Sequence, residues 1–396
     1  MAKETIIKLN RTVFRKTKKY RAALFLILGL FTVIAVGITA ASAAQMPLET
    51  ASHSESDKAL HGSSISQEKI DTSIDKAVSF LKEHQLPSGE FPMNGSLSPE
   101  MTNSAYELEV FGSTFVLHAL GLVKPDPAVN EMKNKTGAFL LANKEDPGVW
   151  RYWGKYSNIP PDMDDTSTIV ASLKENGIPV EESGMDYAFN YRAPDGVFYT
   201  FMNEEKWMNS SDIYYPYYKM NDIDPVVNAN MAYVLSLIGK PVPEVSVFLN
   251  GYIQNKSFTE RTIYYHIPYS QLYMFTRAYA DGHVSDLKPS MPVVREYLLS
   301  MQKEDGSWGN ELNTSLAAIS LMNTGYKGKA LDKAINHILK TQRDDGSWPE
   351  RSFFVGIMTY WGSEEVSTAF SIEALSKYSE MHRTNKNKKS SLLEQK

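Results

Sequence analysis

Residues 297–308 read YLLSMQKEDGSW, and residues 337–348 read HILKTQRDDGSW. Each copy combines the end of an apolar-periodic helix, a turn that contains glycine, and a tryptophan, and a second apolar segment follows. A unit that returns in this way predicts a repeat architecture, in which neighbouring units bury one another's apolar faces.

Weaker copies extend the pattern towards the N-terminus. They keep the glycine and the aromatic residue, and they lie at 80–91, 139–150 and 194–198. The fourth unit is the least defined, because no glycine followed by an aromatic residue is visible in its turn. The whole pattern predicts six helix pairs, at 71–86 with 102–122, 128–143 with 164–177, 182–191 with 222–238, 243–254 with 268–281, 289–302 with 312–324, and 329–342 with 364–379.

The second helix of each pair is more apolar than the first. Segments 315–321 and 368–375 are apolar on nearly every face, which is typical of buried helices, whereas the first helices keep one polar face. Twelve alternating outer and inner helices with few strand signals predict an all-α fold, a closed (α/α)6 toroid. An open solenoid is the alternative.

The N-terminal segment has a different composition. Eight Lys and Arg residues and one Glu precede an uncharged apolar run at 22–44 that ends in Ala-Ser-Ala-Ala. This order is typical of an export signal, and the run is also long enough for a single membrane anchor. We therefore expect a signal or anchor at 1–44, a polar linker at 45–67, the toroid at 68–380 and a basic flexible tail at 381–396. The body would lie outside the cytoplasm, either membrane-anchored or secreted after cleavage.

Composition excludes several function classes. The chain is 42% hydrophobic and 11% aromatic, as expected for a globular protein with a large core. It has no cysteine, so disulfides, thiolate nucleophiles and cysteine-based zinc sites are excluded. Without residues 1–44 the formal net charge changes from −5 to −12. An acidic body without a basic stripe argues against a nucleic-acid partner.

Three carboxylates precede the fourth predicted helix. Asp162, Asp164 and Asp165 stand within four residues, directly before Thr166. Because crowded carboxylates cannot all ionise at low cost, one of them should keep a proton, and a protonated carboxyl beside an apolar cavity can act as a general acid. A helix N-cap is the simpler explanation, although a cap needs only one Asp.

The Gln-x-x-Asp-Gly-Ser-Trp turns resemble the "QW" repeats of the terpene cyclase and protein prenyltransferase superfamily. Residues 162–167 are similar to the Asp-x-Asp-Asp-Thr-Ala motif of its class II terpene cyclases. The resemblance implies that Gln302, Trp308, Gln342 and Trp348 join neighbouring helix pairs. It also implies that Asp164 is the acid that protonates a linear isoprenoid, with Asp162 and Asp165 holding its proton in place.

Departures from the family bear on function. Class II cyclases normally have two helical barrels, so a partner could supply the second. Protein prenyltransferase activity is disfavoured because its zinc site needs a cysteine. The substrate would be a hydrophobic isoprenoid or another lipid, drawn from a membrane. Aromatic side chains would shelter the carbocation through cation–π attraction.

Polar and aromatic residues outside the motif are candidates for substrate binding. By toroid geometry, a second acidic cluster at the start of the next inner helix faces the same end, and an aromatic segment lies just before another inner helix. Asp224 before Pro225 is also an ordinary N-cap, and His266 could hydrogen-bond an Asp of the triad. We expect no cofactor, although two oxygen-rich clusters would suit Mg²⁺ if a metal binds. The candidates are Asp222, Asp224, Asn228, Tyr264, Tyr265, His266 and Trp361.

Two other functions stay open from sequence. Six-pair α/α toroids also include exported glycan-processing enzymes, inverting hydrolases or lyases, that use paired carboxylates. A non-catalytic lipid-binding toroid is the third interpretation, because a fold does not determine an activity.

Overall fold

The computed structural model describes residues 65–212, 214–356 and 358–394, with side chains as far as Arg383, and these belong to one compact unit. The predicted signal or anchor at 1–44 and most of the linker lie outside the described residues. The helices are α1 (Gln67–His84), α2 (Gly112–Leu122), α3 (Pro127–Ala142), α4 (Met163–Glu175), α5 (Ser183–Ala188), α6 (Tyr215–Met220), α7 (Pro225–Leu237), α8 (Pro243–Gln254), α9 (Pro268–Ala280), α10 (Met291–Met301), α11 (Glu311–Asn323), α12 (Lys329–Thr341) and α13 (Glu364–Glu394).

Six helices form a closed inner ring. In order around the ring, α2 packs on α4, α4 on α7, α7 on α9, α9 on α11, α11 on α13, and α13 packs again on α2. Nearly every side chain of these helices is buried as far as the ring extends, which explains why they lack a polar face in the sequence. The described residues therefore form a largely helical toroid, and the open solenoid is excluded for them.

The outer helices lie against this ring and keep one solvated face. α1 contacts α13 and α3, α12 contacts α11 and α13, and α8 and α10 contact α7 and α11 respectively. The outer helix of the third pair is short, because α5 spans only Ser183–Ala188 and a 3₁₀ turn at Phe189–Tyr191 replaces the rest of the predicted 182–191 helix.

The repeated turns join each unit to the next. The Nε1 of Trp308 donates to the carbonyl of Leu298 at 2.9 Å. The indole is therefore fixed to α10, the outer helix of its own unit. The amide Nε2 of Gln302 donates to the carbonyl of Ala330, in the following outer helix, at 2.8 Å. The glutamine therefore joins neighbouring helix pairs, as the resemblance implied, whereas the hydrogen bond of the tryptophan stays within its own pair.

The last glutamine closes the ring. Gln342 Nε2 donates to the carbonyl of Ser73 in α1 at 2.8 Å, and Ser73 Oγ donates back to Gln342 Oε1 at 2.7 Å. Trp348 Nε1 donates to the carbonyl of Ile338 at 2.9 Å. The sixth unit is thereby hydrogen-bonded to the first.

Glycine is required in these turns by a close approach to the next outer helix. Gly346 has φ +92°, and a Cβ there would stand 2.4 Å from the carbonyl oxygen of Lys76. Gly306, with φ +88°, meets the carbonyl of Lys333 in the same way at 2.6 Å. A side chain fits neither position.

The turn of the fourth unit is present without its glycine. Lys256 adopts the left-handed conformation with φ +55°, and Phe258 is fully buried two residues later. This is the spacing of Gly306 and Trp308 in the fifth unit. The sequence pattern missed this turn because a lysine holds the conformation that glycine holds elsewhere.

A four-stranded antiparallel sheet is the main feature that the sequence did not predict. The strands β1 (Asn94–Ser96), β2 (Ala105–Tyr106), β3 (Arg351–Val355) and β4 (Tyr360–Ser363) lie in the order β2-β1-β4-β3. The predicted helix at 102–122 is therefore wrong before Gly112, because β2 and its loop take that stretch. Residues from the first and last units pair here, and such a long-range partner leaves no local pattern.

All the long insertions lie at one end of the ring. The connections from outer to inner helices include 85–111, 143–162 and 342–363, whereas those from inner to outer helices are short, as at 123–126 and 324–328. We call the end formed by the N-termini of the inner helices the acid end. None of the helices that the structure describes is both long and apolar enough to span a membrane.

Candidate active site

The predicted acidic motif forms the first turn of α4, at the acid end. Asp162 is the N-cap, and its Oδ1 accepts a hydrogen bond from the backbone N–H of Asp165 at 2.7 Å. Thr166, the motif's threonine, accepts the backbone N–H of Trp150 on its Oγ1 at 3.1 Å. The capping interpretation thus accounts for Asp162, Thr166 holds the preceding turn, and two carboxylates are left to explain.

Asp164 is held by two donors from other inner elements. Asn230 Nδ2, in α7, donates to its Oδ1 at 2.7 Å, and the hydroxyl of Tyr265, just before α9, donates to its Oδ2 at 2.5 Å. Burial raises the pKa of Asp164 to about 7, although both hydrogen bonds act to lower it. The residue still keeps part of its surface accessible, unlike its two neighbours.

Asp165 and Asp162 form a buried carboxyl pair behind this group. Asp165 is 1% exposed, and burial, followed by the charge of Asp162, raises its pKa well above the usual range. Burial also raises the pKa of Asp162, against the hydrogen bonds it receives. Asp165 therefore retains its proton. The sequence analysis attributed proton retention to crowding of the three carboxylates. In the structure the main cause at Asp165 is burial, and the charge of Asp162 comes second.

The tandem tyrosines serve two different acids. Tyr264 donates to Asp222 Oδ1 at 2.8 Å, while Tyr265 donates to Asp164. Thr200 Oγ1 donates to Asp222 Oδ2 at 2.8 Å, and Tyr217 and Tyr264 hydroxyls are 2.5 Å apart. Because Tyr264 gives its proton to Asp222, Tyr217 must donate to Tyr264. These contacts place both acidic clusters at the same end of the ring.

Asp224 and Asn228 have local structural contacts. Asp224 caps α7, accepting the backbone N–H of Val226 at 2.7 Å, and burial raises its pKa to about 6. Asn228 is fully buried, accepts the N–H of Phe198 at 2.8 Å and donates to its carbonyl at 2.9 Å. In the structure Asp224 caps a helix and Asn228 holds the preceding turn. A role of either residue in substrate binding stays a prediction.

His266 and Trp361 lie beside the motif. Within the described residues His266 forms no hydrogen bond to the triad; its ring packs edge-on against Tyr360 at 5.1 Å, and burial lowers its pKa to about 4. Trp361 is stacked on Phe354 at 6.3 Å and is nearly buried. The sequence analysis suggested a hydrogen bond from His266 to an Asp of the triad. In the structure its neighbour Tyr265 makes such a bond, to Asp164.

Two polar residues of the site escaped the sequence analysis. Asn230 is 2% exposed in a mostly apolar helix, and a polar residue on a buried inner helix, two positions after Asn228, was the available signal. Glu109, 1% exposed, accepts the N–H of Gly112 on both oxygens, and burial raises its pKa to about 8. It fell inside a segment predicted as helix, which hid its position at the start of α2.

A metal was considered for the acidic clusters. In the described residues, three ligand atoms of His118, Asp281 and Glu373 lie within 4.8 Å of one another, at the end of the ring opposite to the motif. Lys377 Nζ already contacts both oxygens of Asp281, at 2.8 and 2.6 Å. The oxygens of Asp222 accept bonds from Tyr264 and Thr200. The expectation of no cofactor stays a prediction, with Mg²⁺ as its alternative.

Comparisons with known proteins agree with the fold. The chain is 22% identical over 337 residues to a squalene–hopene cyclase of Bradyrhizobium diazoefficiens, a match that covers 70% of this chain and 49% of that protein. The chain thus spans about half the length of this relative. No protein-family model matches the chain.

Solved structures share the architecture. A variant of a type II terpene cyclase from Scytonema, in complex with its substrate geranylgeranyl dihydroxybenzoate, has a TM-score of 0.61 at 16% identity, covering 79% of this chain and 98% of that one. A possible member of the GH105 family from Salmonella enterica has a TM-score of 0.52 at 13% identity, covering 85% and 100%. Likenesses at this identity concern the fold.

Proposed function

Since the chain has the α/α-toroid fold of the terpene cyclase superfamily and resembles it in sequence, we propose that it is a class II terpene cyclase-like protein. Asp164 would be the general acid that starts cyclisation of a linear isoprenoid by protonating a carbon–carbon double bond. The observation that carries this proposal is the pKa of Asp164, which burial raises to about 7 in a residue that keeps part of its surface accessible.

The contacts of Asp164 suit a proton donor. Transfer of its proton to an alkene leaves a carboxylate, and Asn230 and Tyr265 already direct an N–H and an O–H at the two oxygens. Donors placed in advance stabilise charge that develops in the transition state more than they stabilise the neutral acid. The same donors would make the proton easier to release than burial alone would allow.

The neighbouring carboxyl pair affects the charge state of the acid. Asp165 retains its proton against Asp162, so this pair adds a single negative charge close to Asp164. That charge raises the pKa of Asp164 and helps it to keep its proton near neutral pH. Below the acid, aromatic side chains fill the ring interior, and their faces suit an apolar chain and its carbocations once these side chains move to admit it.

A second helical barrel is not a condition of this proposal. Part of this chain covers 98% of the Scytonema type II terpene cyclase structure, so a chain of about this size carries that description. We also propose that the substrate is a membrane-derived isoprenoid, which fits the predicted export signal or anchor. Membrane attachment and location outside the cytoplasm both stay predictions.

The test is product formation by the full chain in detergent. We expect cyclic products from squalene or a geranylgeranyl substrate, and none from Asp164→Asn. Asp195→Asn is the matched control, because it makes the same replacement of a carboxyl by an amide at an exposed turn residue. Product from Asp195→Asn but not from Asp164→Asn supports the proposal; failure of the unmodified chain with every linear isoprenoid contradicts it.

The two alternatives give different results in the same assay. A non-catalytic lipid-binding toroid would bind the isoprenoids and return them unchanged. A glycan-processing enzyme, which the fold shared with the GH105 structure leaves open, would instead shorten polysaccharides. The aromatic ring interior favours the isoprenoid over the glycan.

A further inference from the structure

The interior of the ring beneath Asp164 is filled by four aromatic side chains. Phe115, Tyr273 and Phe370 come from the ring helices α2, α9 and α13, with centroids 6.4 Å apart for Phe115–Tyr273 and 5.0 Å for Tyr273–Phe370. Phe353 contacts Phe115 at 5.1 Å and Phe370 at 4.8 Å. Because α2 and α9 lie opposite each other in the ring, this cluster spans it completely.

Phe353 differs from the other three because no ring helix carries it. It lies in β3, within an insertion between the last tryptophan turn and α13. In the fifth unit the inner helix begins at Glu311, soon after Trp308, whereas in the sixth unit Trp348 is followed by the β3–β4 hairpin before Glu364. The repeat can therefore close its turn without this side chain.

Tyr265 connects the fully buried Phe353 to the acid. The ring of Tyr265 contacts Phe353 at 6.4 Å, and the hydroxyl of the same tyrosine donates to Asp164. Since the four rings occupy the interior, a hydrocarbon chain enters it from Asp164 only if side chains of this cluster move, and Phe353 is the member that contacts Tyr265. No other member of the aromatic cluster among the described residues both enters from outside the ring and contacts the residue that holds the acid.

The far end of the ring sets the other limit. His118 Nδ1 lies 2.8 Å from Glu175, Arg277 Nη2 lies 3.3 Å from the same carboxylate, and the hydroxyl of Tyr273 donates to Glu373 at 2.9 Å. Asp164 and Glu175 are eleven residues apart on α4, a rise of about 16 Å at about 1.5 Å per residue. A buried charged cluster at that depth excludes hydrocarbon.

We propose that Phe353 determines the length of isoprenoid chain that the ring admits, by filling part of the space between Asp164 and the charged cluster. This inference rests on the proposed function for its class of ligand. A smaller side chain at this position would extend the apolar space towards the charged cluster. A larger one would shorten it.

The adjacent residue supplies a matched control. Phe354 is on the same strand, and its ring contacts Phe353 at 5.9 Å, but its other ring contacts are with Trp361 and Phe111, away from the aromatic side chains of the ring helices α9 and α13. Phe354→Ala removes the same number of atoms from the same hairpin. It should lower stability without changing the space beside Asp164.

The experiment is binding of geraniol, farnesol and geranylgeraniol to the full chain in detergent, measured by calorimetry. Every variant also carries Asp164→Asn, so that turnover does not interfere. We expect Phe353→Ala to tighten the Kd for geranylgeraniol at least tenfold relative to the parent, with a smaller change for geraniol. We expect Phe353→Trp to weaken binding of the longest chain, and Phe354→Ala to keep the parent's order. Phe353→Leu replaces Phe353→Ala should the latter fail to fold.

Four results would overturn the inference: unchanged chain-length order in the Phe353 variants, an equal shift in Phe354→Ala, tighter binding by Phe353→Trp, or no alcohol binding by any folded variant. The readout is separate from catalysis. A chain that makes no cyclic product but changes its chain-length order at Phe353 would contradict the proposed function and leave this inference standing. Cyclic product together with an unchanged chain-length order in the Phe353 variants would support the proposed function and contradict this inference.

Discussion

Asp164 lies where three inner elements meet, and its protonation state decides whether the proposed chemistry can start. Its two donors favour the carboxylate, and burial favours the acid; burial is the larger effect, since the pKa rises to about 7. Sequence reasoning identified the residue and the direction of the shift. It did not identify Asn230 or Tyr265 as the partners, because their contacts join positions that are far apart in the chain.

The raised pKa predicts a pH-dependent stability. The folded state holds a proton on Asp164 up to about pH 7, whereas the unfolded chain releases it near pH 4. Stability should therefore fall as pH rises from about 4 to 7. Asp164→Asn should reduce that slope and stabilise the protein at pH 8, by on the order of 1 kcal/mol. Denaturant titrations at several pH values measure this; an unchanged slope would show that Asp164 ionises normally.

Tyr265 provides a second prediction at this scale. Tyr265→Phe removes a donor that lowers the pKa of Asp164, so the alkaline limb of the pH–rate profile should move to higher pH. The rate itself should fall by roughly 10- to 1,000-fold, because the new carboxylate loses one stabilising hydrogen bond. Tyr264→Phe is the control, since that hydroxyl serves Asp222. An equal shift in both variants would deny Tyr265 a specific role.

Among the elements, the repeated turn was the most predictable from sequence. The glycine and tryptophan of the last two units gave the turns, the inner helices and their order, because each feature is local. The sheet could not be predicted, since β1 and β4 are joined only by long-range pairing, with Gly95 opposite Trp361. The fourth turn was hidden for a different reason, because Lys256 takes a glycine conformation.

A turn glycine can be required because of close packing or because of its backbone conformation. Two variants separate these two causes. Gly346→Ala would place a Cβ against the Lys76 carbonyl, whereas Gly325→Ala, also at positive φ (+80°), would meet nothing within 4 Å. We expect Gly346→Ala to cost at least about 1 kcal/mol more than Gly325→Ala. Thermal unfolding of the two variants compares them directly. Equal losses would mean that conformation alone requires glycine.

Lys256 allows the opposite change. Its left-handed conformation is unfavourable for a residue with a side chain, so Lys256→Gly should stabilise the protein by up to about 1 kcal/mol. The gain would be reduced by the greater freedom that glycine has in the unfolded chain. A higher midpoint of thermal unfolding is the expected result. A lower midpoint would show that the lysine makes a contact worth more than the strain.

At the scale of the whole described unit, ring closure and the position of the long insertions define the fold. The ring is closed by hydrogen bonds between its last and first units, and all long insertions are at the acid end. The sequence predicted the toroid and the end at which Asp164 lies, since both follow from the order of helices. It could not predict that β3 would place Phe353 in the centre of the ring.

Ring closure has its own test. Gln342→Ala removes the bonds from α12 to Ser73 in α1, and Gln302→Ala removes the equivalent bonds within the ring, to Ala330. Each should cost about 1–3 kcal/mol, because buried partners are left unsatisfied. Hydrogen exchange in α1 should accelerate in Gln342→Ala and stay unchanged in Gln302→Ala. Equal acceleration of exchange in α1 in both variants would mean that the Gln342–Ser73 contact does not specifically stabilise α1.

The central claim is that a proton from Asp164 becomes part of the product. The direct measurement is mass spectrometry of cyclic product made by the full chain in D₂O. The account predicts one added deuterium per molecule, bound to carbon, and no such product from Asp164→Asn. Cyclic product without carbon-bound deuterium, or deuterated product made equally well by Asp164→Asn, would contradict it.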